Sequence, residues 1–250
     1  MKIRKLNHVR VILLAAATLV FLPLSLSANP IGWSAAQDIT GDSDISTDGA
    51  LAQAANITPN GMLGTTVNGV TFAPFVAASG HDISGHFTLD GSLALYDGYG
   101  SINAPFSNLS SAYQTLLSTG NNGSSNSVMT LTISGLTLGD TYQFQVWIND
   151  SRGTYGTQGI TATDGALSVH ILGDTTGVEG GTGQYALLTF VADGDEVITF
   201  QGDPTGGTTE EAFQLRDLTG APTVPEGGPT MSLLAISLMG LLFFRRRSAA

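Results

Sequence analysis

The side chains able to do chemistry are few and unevenly placed. The chain has no cysteine, which rules out thiol nucleophiles and thiolate metal sites. A serine hydrolase needs an activated Ser beside a base, and no G-x-S-x-G elbow occurs. Away from the N-terminus the histidines are His81, His86 and His170. The first two lie five apart in a Gly-containing loop. That is not the i, i+4 spacing of a helical zinc pair, and they read as surface histidines. Glycoside hydrolysis needs two carboxyl groups flanking a cleft. The glutamates are Glu179, Glu196, Glu210, Glu211 and Glu226, and no spacing pairs two of them across a cleft. The adjacent Glu210 and Glu211 open the last predicted strand and are expected to be solvated or close to a calcium ion. These features predict a protein that is not an enzyme.

Two groups of residues have the chemistry of binding. Asp42, Asp44 and Asp48 lie close together in a Ser/Gly loop, and hard cations prefer such oxygens. The loop lacks the order of an EF-hand, with Gln53 where a bidentate Glu would stand. It reads as a calcium site or as an acidic surface loop. No other cofactor is expected. The second group is Trp147 with Asn149, Asp150 and Arg152. An aromatic face beside planar polar groups can stack on and hydrogen-bond a saccharide. Arg152 and Arg216 can equally form ion pairs that fix loops to sheets. Trp147 falls on the Gln143/Gln145 side of its strand's alternation, which points it away from the core.

The elements that carry these residues are strands. Val67-Asn68-Gly69-Val70 places an Asn-Gly pair between β-branched residues, a strong hairpin signal. Val128 to Ile133 alternates apolar residues and threonines, and Tyr142, Phe144, Val146 and Ile148 alternate with polar partners and Trp147. Ala166 to Leu172, Tyr185 to Val191, Glu196 to Phe200 and Ala212 to Leu218 follow the same rule. Thr47-Asp48-Gly49-Ala50-Leu51 recurs at Thr163 to Leu167, which reads as two Asp-Gly turns that each feed a strand. One segment has helical spacing: Leu109, Ala112, Tyr113, Leu116 and Leu117 lie three and four apart within Asn108 to Thr119. Asn108 or Ser110 is the expected N-cap and Gly120 the terminator. Glycine, 32 of 250 residues, suits many tight turns. The expected fold class is all-β: an antiparallel β-sandwich, jelly-roll-like, with one short helix. It spans residues 29–220 as one domain.

Charge sets the two ends apart. Lys2, Arg4, Lys5 and Arg10 precede an apolar run from Val11 to Leu22, then Pro23 and the small residues Ser25, Ser27 and Ala28. That is the layout of a secretory signal peptide over residues 1–28, cleaved near Ser27 or Ala28 by signal peptidase. At the other end, Val224-Pro225-Glu226 precedes an apolar stretch from Thr230 to Phe244, closed by Arg245, Arg246 and Arg247. An apolar stretch halted by arginines acts as a stop-transfer helix, with the arginines on the cytoplasmic side and the body outside. All twenty acidic residues lie from Asp38 to Glu226, and that stretch has only Arg152 and Arg216 against them. Such a body repels phosphate backbones, so nucleic acid is excluded as a partner.

Pro225-Glu226, the short apolar helix with a Gly near its end, and the arginine cluster together resemble the PEP-CTERM sorting signal, here over residues 221–250. Gly227 stands where a second Pro is common in that family. The resemblance implies export by a Gram-negative bacterium that makes exopolysaccharide. It further implies removal of the tail by the membrane protease exosortase, after transient anchoring in the inner membrane. Three stretches of the body also resemble ectodomains that accompany this tail in Planctomycetes and Verrucomicrobia. They are Gly41 to Thr47, Thr66 to Phe72, and Leu136 to Tyr142 running into Trp147 to Arg152. The expected protein is exported, non-enzymatic and located at the cell surface or in the extracellular matrix. It is expected to associate with exopolysaccharide, possible carbohydrate binding included. A secreted polysaccharide hydrolase and a protein-binding adhesin are the alternatives.

Overall fold

The computed structural model describes residues 31–59, 62–77, 80–91, 94–153, 158–205 and 209–220. The signal-peptide and sorting-signal residues, Val224, Pro225, Glu226, Arg245, Arg246 and Arg247 among them, lie outside the described residues. Among the described residues no helix is long and apolar enough to cross a membrane.

The body begins with β1 (Gly32–Trp33), β2 (Gln37–Asp38), β3 (Ala50–Ile57), β4 (Thr65–Val67) and β5 (Val70–Phe75). Then follow β6 (His81–Ser84), β7 (Phe87–Gly91), β8 (Leu95–Tyr96), the helix α1 (Ser111–Leu117) and β9 (Gly120–Asn121). The second half is β10 (Val128–Ile133), β11 (Thr141–Ile148), β12 (Gly159–Asp164), β13 (Leu167–Leu172), β14 (Gln184–Val191), β15 (Glu196–Gly202) and β16 (Ala212–Asp217). Among the described residues the strands form two large open sheets and a small two-stranded sheet of β8 and β9. One large sheet has the order β1-β14-β11-β16-β3-β5-β4, with β2 also on β14, and the other the order β13-β12-β15-β10-β7-β6. From β10 onward the chain passes back and forth between the two large sheets, except at the β12–β13 hairpin, which stays in the second.

The sheets pack face to face because alternation gives each one an apolar side. Phe144, Val146, Leu188, Phe213 and Leu215 of the first meet Phe87, Leu89, Leu131, Ile198 and Phe200 of the second in one buried cluster. Phe213 lies at the centre, with ring centroids 5.9, 5.6 and 5.8 Å from those of Phe87, Phe144 and Phe200. The β-rich expectation therefore holds, with a difference in strand direction: β3 and β5 pair in parallel. The predicted Asn68-Gly69 turn explains it. Both residues have positive φ, 48° and 76°, which closes a tight β4–β5 hairpin. The hairpin lays β5 next to β3 and leaves β4 at the edge.

The predicted helix forms, shorter than its apolar spacing suggested. Ser110 is its N-cap, its hydroxyl accepting from the Tyr113 N–H at 3.2 Å. α1 covers the outer face of the first sheet. A second cluster forms there from Tyr113, Leu116 and Leu117 of α1, Val67, Val70 and Phe72 of the hairpin, Ile39 and Ile45, and Trp147 of β11.

That second cluster corrects the expectation for Trp147. The residue does point away from the core between the sheets, on the side of Gln143 and Gln145. The side is covered, however, and Trp147 is 0% exposed. Its indole N–H donates to the Tyr113 hydroxyl at 3.0 Å, and its ring meets Phe72 edge-on with centroids 5.5 Å apart. The polar side chains of the same face hold the covering loop. Gln145 donates to the Asp44 carbonyl at 2.6 Å and accepts from the Ser46 N–H at 3.0 Å. Gln214 donates to the Ser46 carbonyl at 2.7 Å. A face that alternation marks as polar is thus an internal hydrogen-bonding surface.

Candidate functional site

The predicted calcium loop is used structurally. The Asp44 carboxylate accepts from the Thr40 N–H at 2.7 Å, the Gly41 N–H at 2.9 Å and the Thr40 hydroxyl at 2.9 Å. Asp42 accepts from the Ser110 hydroxyl at 2.6 Å, which ties the loop to α1. Asp48 is exposed, and its carbonyl, with those of Thr47 and Gly49, accepts from the Arg216 guanidinium. The three carboxylates have separate surroundings. Among the described residues no group of three or more His, Asp or Glu side chains is placed to hold a metal ion. Arg216 does fix a loop to a sheet as expected, through carbonyl oxygens rather than an ion pair. Burial lowers its pKa from the ordinary guanidinium value, and the nearby Asp48 charge partly offsets that.

The remaining candidates divide. Asn149 follows β11 and is 0% exposed. Its side-chain amide donates to the Leu117 carbonyl at 3.2 Å, and its side-chain oxygen accepts from the Gly183 N–H at 3.0 Å. It fastens α1 and the start of β14 to the end of β11, and it is closed to any saccharide. Asp150 and Arg152 form the ion pair that was the alternative reading. Arg152 Nε and Nη2 donate to the two Asp150 oxygens at 2.7 and 2.6 Å. The guanidinium lies 5.0 and 4.9 Å from the ring centroids of Tyr96 and Tyr99. The bidentate bond to Asp150 raises the Arg152 pKa further above its usual value, against the opposing effect of burial.

This rim leads to the most unusual chemistry of the domain. Glu210 and Glu211 precede β16 and are both 0% exposed, which overturns the solvated alternative of the expectation that they are solvated or close to a calcium ion. The backbone holds them there. The Glu211 N–H donates to the Trp147 carbonyl at 3.2 Å, and the Glu211 carbonyl accepts from the Ile57 N–H at 2.8 Å. The Glu210 carbonyl accepts from the Asn121 N–H at 3.0 Å. One carboxylate oxygen of each side chain is bonded. Glu210 Oε2 accepts from the Asn121 amide at 3.0 Å, and Glu211 Oε2 accepts from the Asn149 N–H at 2.8 Å. The Oε1 atom of each is buried without a hydrogen-bond partner.

The electrostatics follow from this burial. Loss of solvent pushes the Glu210 pKa up to about 7, with the Asn121 amide opposing the rise. Burial raises Glu211 well above the usual carboxylate range. The Glu210 charge adds to that, and the Asn149 N–H opposes it. Tyr99 is pushed far above the ordinary phenol value by burial and then by the Glu211 charge. Its hydroxyl donates to the Asn121 carbonyl at 2.7 Å. Asn121 and Tyr99 carried no signal in the sequence, being 89 and 111 positions from Glu210. For the glutamates a signal existed: they run without a break into Ala212, Phe213 and Leu215, an apolar strand start.

Beside Arg152 the surface opens into a groove of about 400 Å³. It is lined by Gly100, Ser101, Ile102 and Phe106, by Gln114 and Ser118 at α1, and by Glu179. The Gly180 N–H donates to the Ser151 carbonyl at 2.8 Å, which holds the Glu179 loop against the Arg152 turn. Ile102 on the groove wall is 92% exposed.

No family model and no curated protein matches the chain. Among solved structures it is similar to the enzymatically active domain of tailspike protein 4 from bacteriophage CBA120. The TM-score is 0.32 at 13% identity, over 58% of this chain and 22% of the tailspike. A peptidoglycan O-acetylesterase gives a TM-score of 0.25 at 14% identity, over 60% of this chain and 36% of the esterase. The K3 cleaved adhesin domain of Lys-gingipain from Porphyromonas gingivalis W83 gives 0.22 at 16% identity, over 74% of this chain and 96% of the adhesin. This chain thus spans well under half of the first two. At TM-scores this low the likeness assigns neither a shared fold nor an activity.

Proposed function

We propose that the chain is an exported, non-enzymatic surface protein whose β body associates with extracellular polysaccharide. The observation that carries the reading is the partition of charge. A basic, apolar head and an apolar tail closed by Arg245, Arg246 and Arg247 flank a body with nineteen of the chain's twenty acids and two arginines. Signal peptidase acts on the head and exosortase on the tail, and between these steps the tail anchors the protein transiently in the inner membrane. The body is a jelly roll in this reading. Four strands ordered β14-β11-β16-β3 face four ordered β13-β12-β15-β10; the chain crosses between the sheets at every step except the β12–β13 hairpin, and that path supports it.

A non-catalytic role is supported by where the candidate groups lie. His81 bonds Asp90 across β6 and β7, and His170 bonds Asp203, both at exposed positions. The alternative, a polysaccharide hydrolase, is favoured by one feature, the raised carboxyl pair Glu210 and Glu211. Their complete burial argues against it, because a glycan cannot reach them. The saccharide contact falls instead on the groove beside Arg152, where Ile102 offers an apolar face and Gln114 and Glu179 offer polar groups.

The test is co-sedimentation of the full chain with exopolysaccharide, with reducing ends measured in the same tube. The expected result is retention without new reducing ends. Ile102→Ser is expected to weaken retention about five- to tenfold, because covering an aliphatic side chain gains roughly 1–1.5 kcal/mol. It leaves the melting temperature unchanged, since the side chain is already in solvent. Released oligosaccharide would establish the hydrolase instead.

A further inference from the structure

We propose that Glu210 and Glu211 form a proton-dependent latch: neutral, they hold β9 and the end of β11 to the start of β16, and ionised they loosen that rim. The inference starts from burial and a shortage of donors. Both side chains are 0% exposed. An ionised carboxylate has about four acceptor positions. One oxygen of each is served, by the Asn121 amide or the Asn149 N–H, and the Oε1 of each is enclosed without a partner. An ion so placed lacks water and most of its hydrogen bonds, whereas the neutral acid gives up far less. Burial is thus the main cause that favours the neutral form, and for Glu211 the Glu210 charge adds to it.

The surroundings reinforce this. The titratable and charged groups packed around the pair are Tyr99, from the segment before α1, and Asp150 and Arg152, from the turn after β11. The Asp150 charge acts on Glu211 in the same direction as burial. The Arg152 guanidinium is turned to Asp150 in a bidentate bond, and burial keeps Tyr99 a neutral phenol. β9 and β3 contribute the amides of Asn121 and Asn56, and α1 contributes backbone carbonyls. Two short routes of hydrogen bonds lead from the pair to the groove. Asn121 accepts from the Tyr99 hydroxyl at 2.7 Å, and the Tyr99 N–H donates to the Ser118 carbonyl at 3.1 Å. Asn149 donates to the Leu117 carbonyl at 3.2 Å. Gly100 and Ser118, next in the chain to Tyr99 and Leu117, line the groove. On the reading of that groove as the polysaccharide contact, the latch makes retention a function of the pH of the medium.

Folded, each carboxyl keeps its proton to higher pH than it does unfolded. The stabilising contribution is therefore complete below about pH 4.5 and is lost as pH rises through about 7, the value for Glu210. The experiment is thermal melting of the full chain from about pH 5 to about pH 8.5, with amide hydrogen exchange at about pH 8. The melting temperature is expected to fall by roughly 5–10 °C across that range. The Glu210→Gln, Glu211→Gln double variant fixes both groups neutral and is expected to lose most of the fall. The His81–Asp90 and His170–Asp203 pairs and the Glu196 carboxyl beside Asp164 remain in both chains, so the difference between the two curves belongs to the latch. At the higher pH the amides of residues 117–121 and 148–151 are expected to exchange at least about fivefold faster in the wild type than in the variant. If the double variant does not fold, Glu210→Gln alone is expected to remove about half of the fall. Neither measurement uses polysaccharide, so each bears on the latch whether or not the groove holds glycan. A melting temperature that is level or rises toward alkaline pH, a fall as steep in the glutamine variants, or equal exchange in the two chains overturns the assignment.

Discussion

Replacing Trp147 by alanine is expected to lower stability by about 3–5 kcal/mol, the range for removing a large buried aromatic residue. The ring is fully enclosed on the outer face of the first sheet. Alanine there removes the edge contact with Phe72 and leaves a void between β11, α1 and the β4–β5 hairpin. It also removes the indole donor from Tyr113, whose remaining contact is a long one, 3.4 Å to the Asp44 carboxylate. That contact belongs to the bonds that shape the Thr40–Asp44 loop, so the loop loosens with the cavity. For a domain of this size the melting temperature falls by roughly 10 °C or more. A urea or thermal melt reads the effect. A loss under about 1 kcal/mol would mean that the ring stands in solvent and would return Trp147 to the saccharide candidates.

Gly183→Ala is the second substitution with a large expected effect, and it acts through space rather than backbone conformation. A Cβ on Gly183 would lie 1.9 Å from the Ile148 carbonyl oxygen, 2.7 Å from that of Gly173 and 2.9 Å from the Asn149 Cα. All three are backbone atoms, so β11 and β14 must separate to admit a methyl group. The move breaks the bond from the Gly183 N–H to Asn149 and the bond from the Ile39 N–H to the Gly183 carbonyl. A cost of about 3 kcal/mol is expected, at the upper end for overpacking. Gly194 is the control. Nothing lies within 4 Å of its added Cβ, and Gly194→Ala should be neutral or stabilise by up to about 1 kcal/mol. Equal melting temperatures for the two variants would contradict the close strand approach.

How much could be read beforehand depended on whether the signal was local. The Asn68-Gly69 hairpin, the Ser110 cap and the alternation in β10 and β11 are each set by neighbours in sequence, and each forms. Trp147 shows the limit. Alternation placed it on the correct side of β11, but it cannot tell whether that side meets water or a second layer. The layer is built from residues 39–46, the β4–β5 hairpin and α1, none adjacent to β11 in the chain. The parallel pairing of β3 with β5 was hidden for the same reason, since the hairpin signal fixes its own two strands and not its neighbour. The site was less legible still. Asp42, Asp44 and Asp48 cluster in sequence and disperse in space, whereas Glu210, Asn121 and Asn149 are distant in sequence and meet at one rim. Charge spacing along a loop says little about where carboxylate oxygens point.

Surface display is the central claim, and the two ends decide it. Each end is a processing signal in this account, so neither persists in the working protein. Intact-mass measurement on protein recovered from the envelope and medium of the producing bacterium tests this most directly. The predicted result is one species that begins near Ser27 or Ala28 and ends near Pro225 or Glu226. A full-length mass in that fraction, or the protein found only in the cytoplasm with both ends attached, would contradict the account.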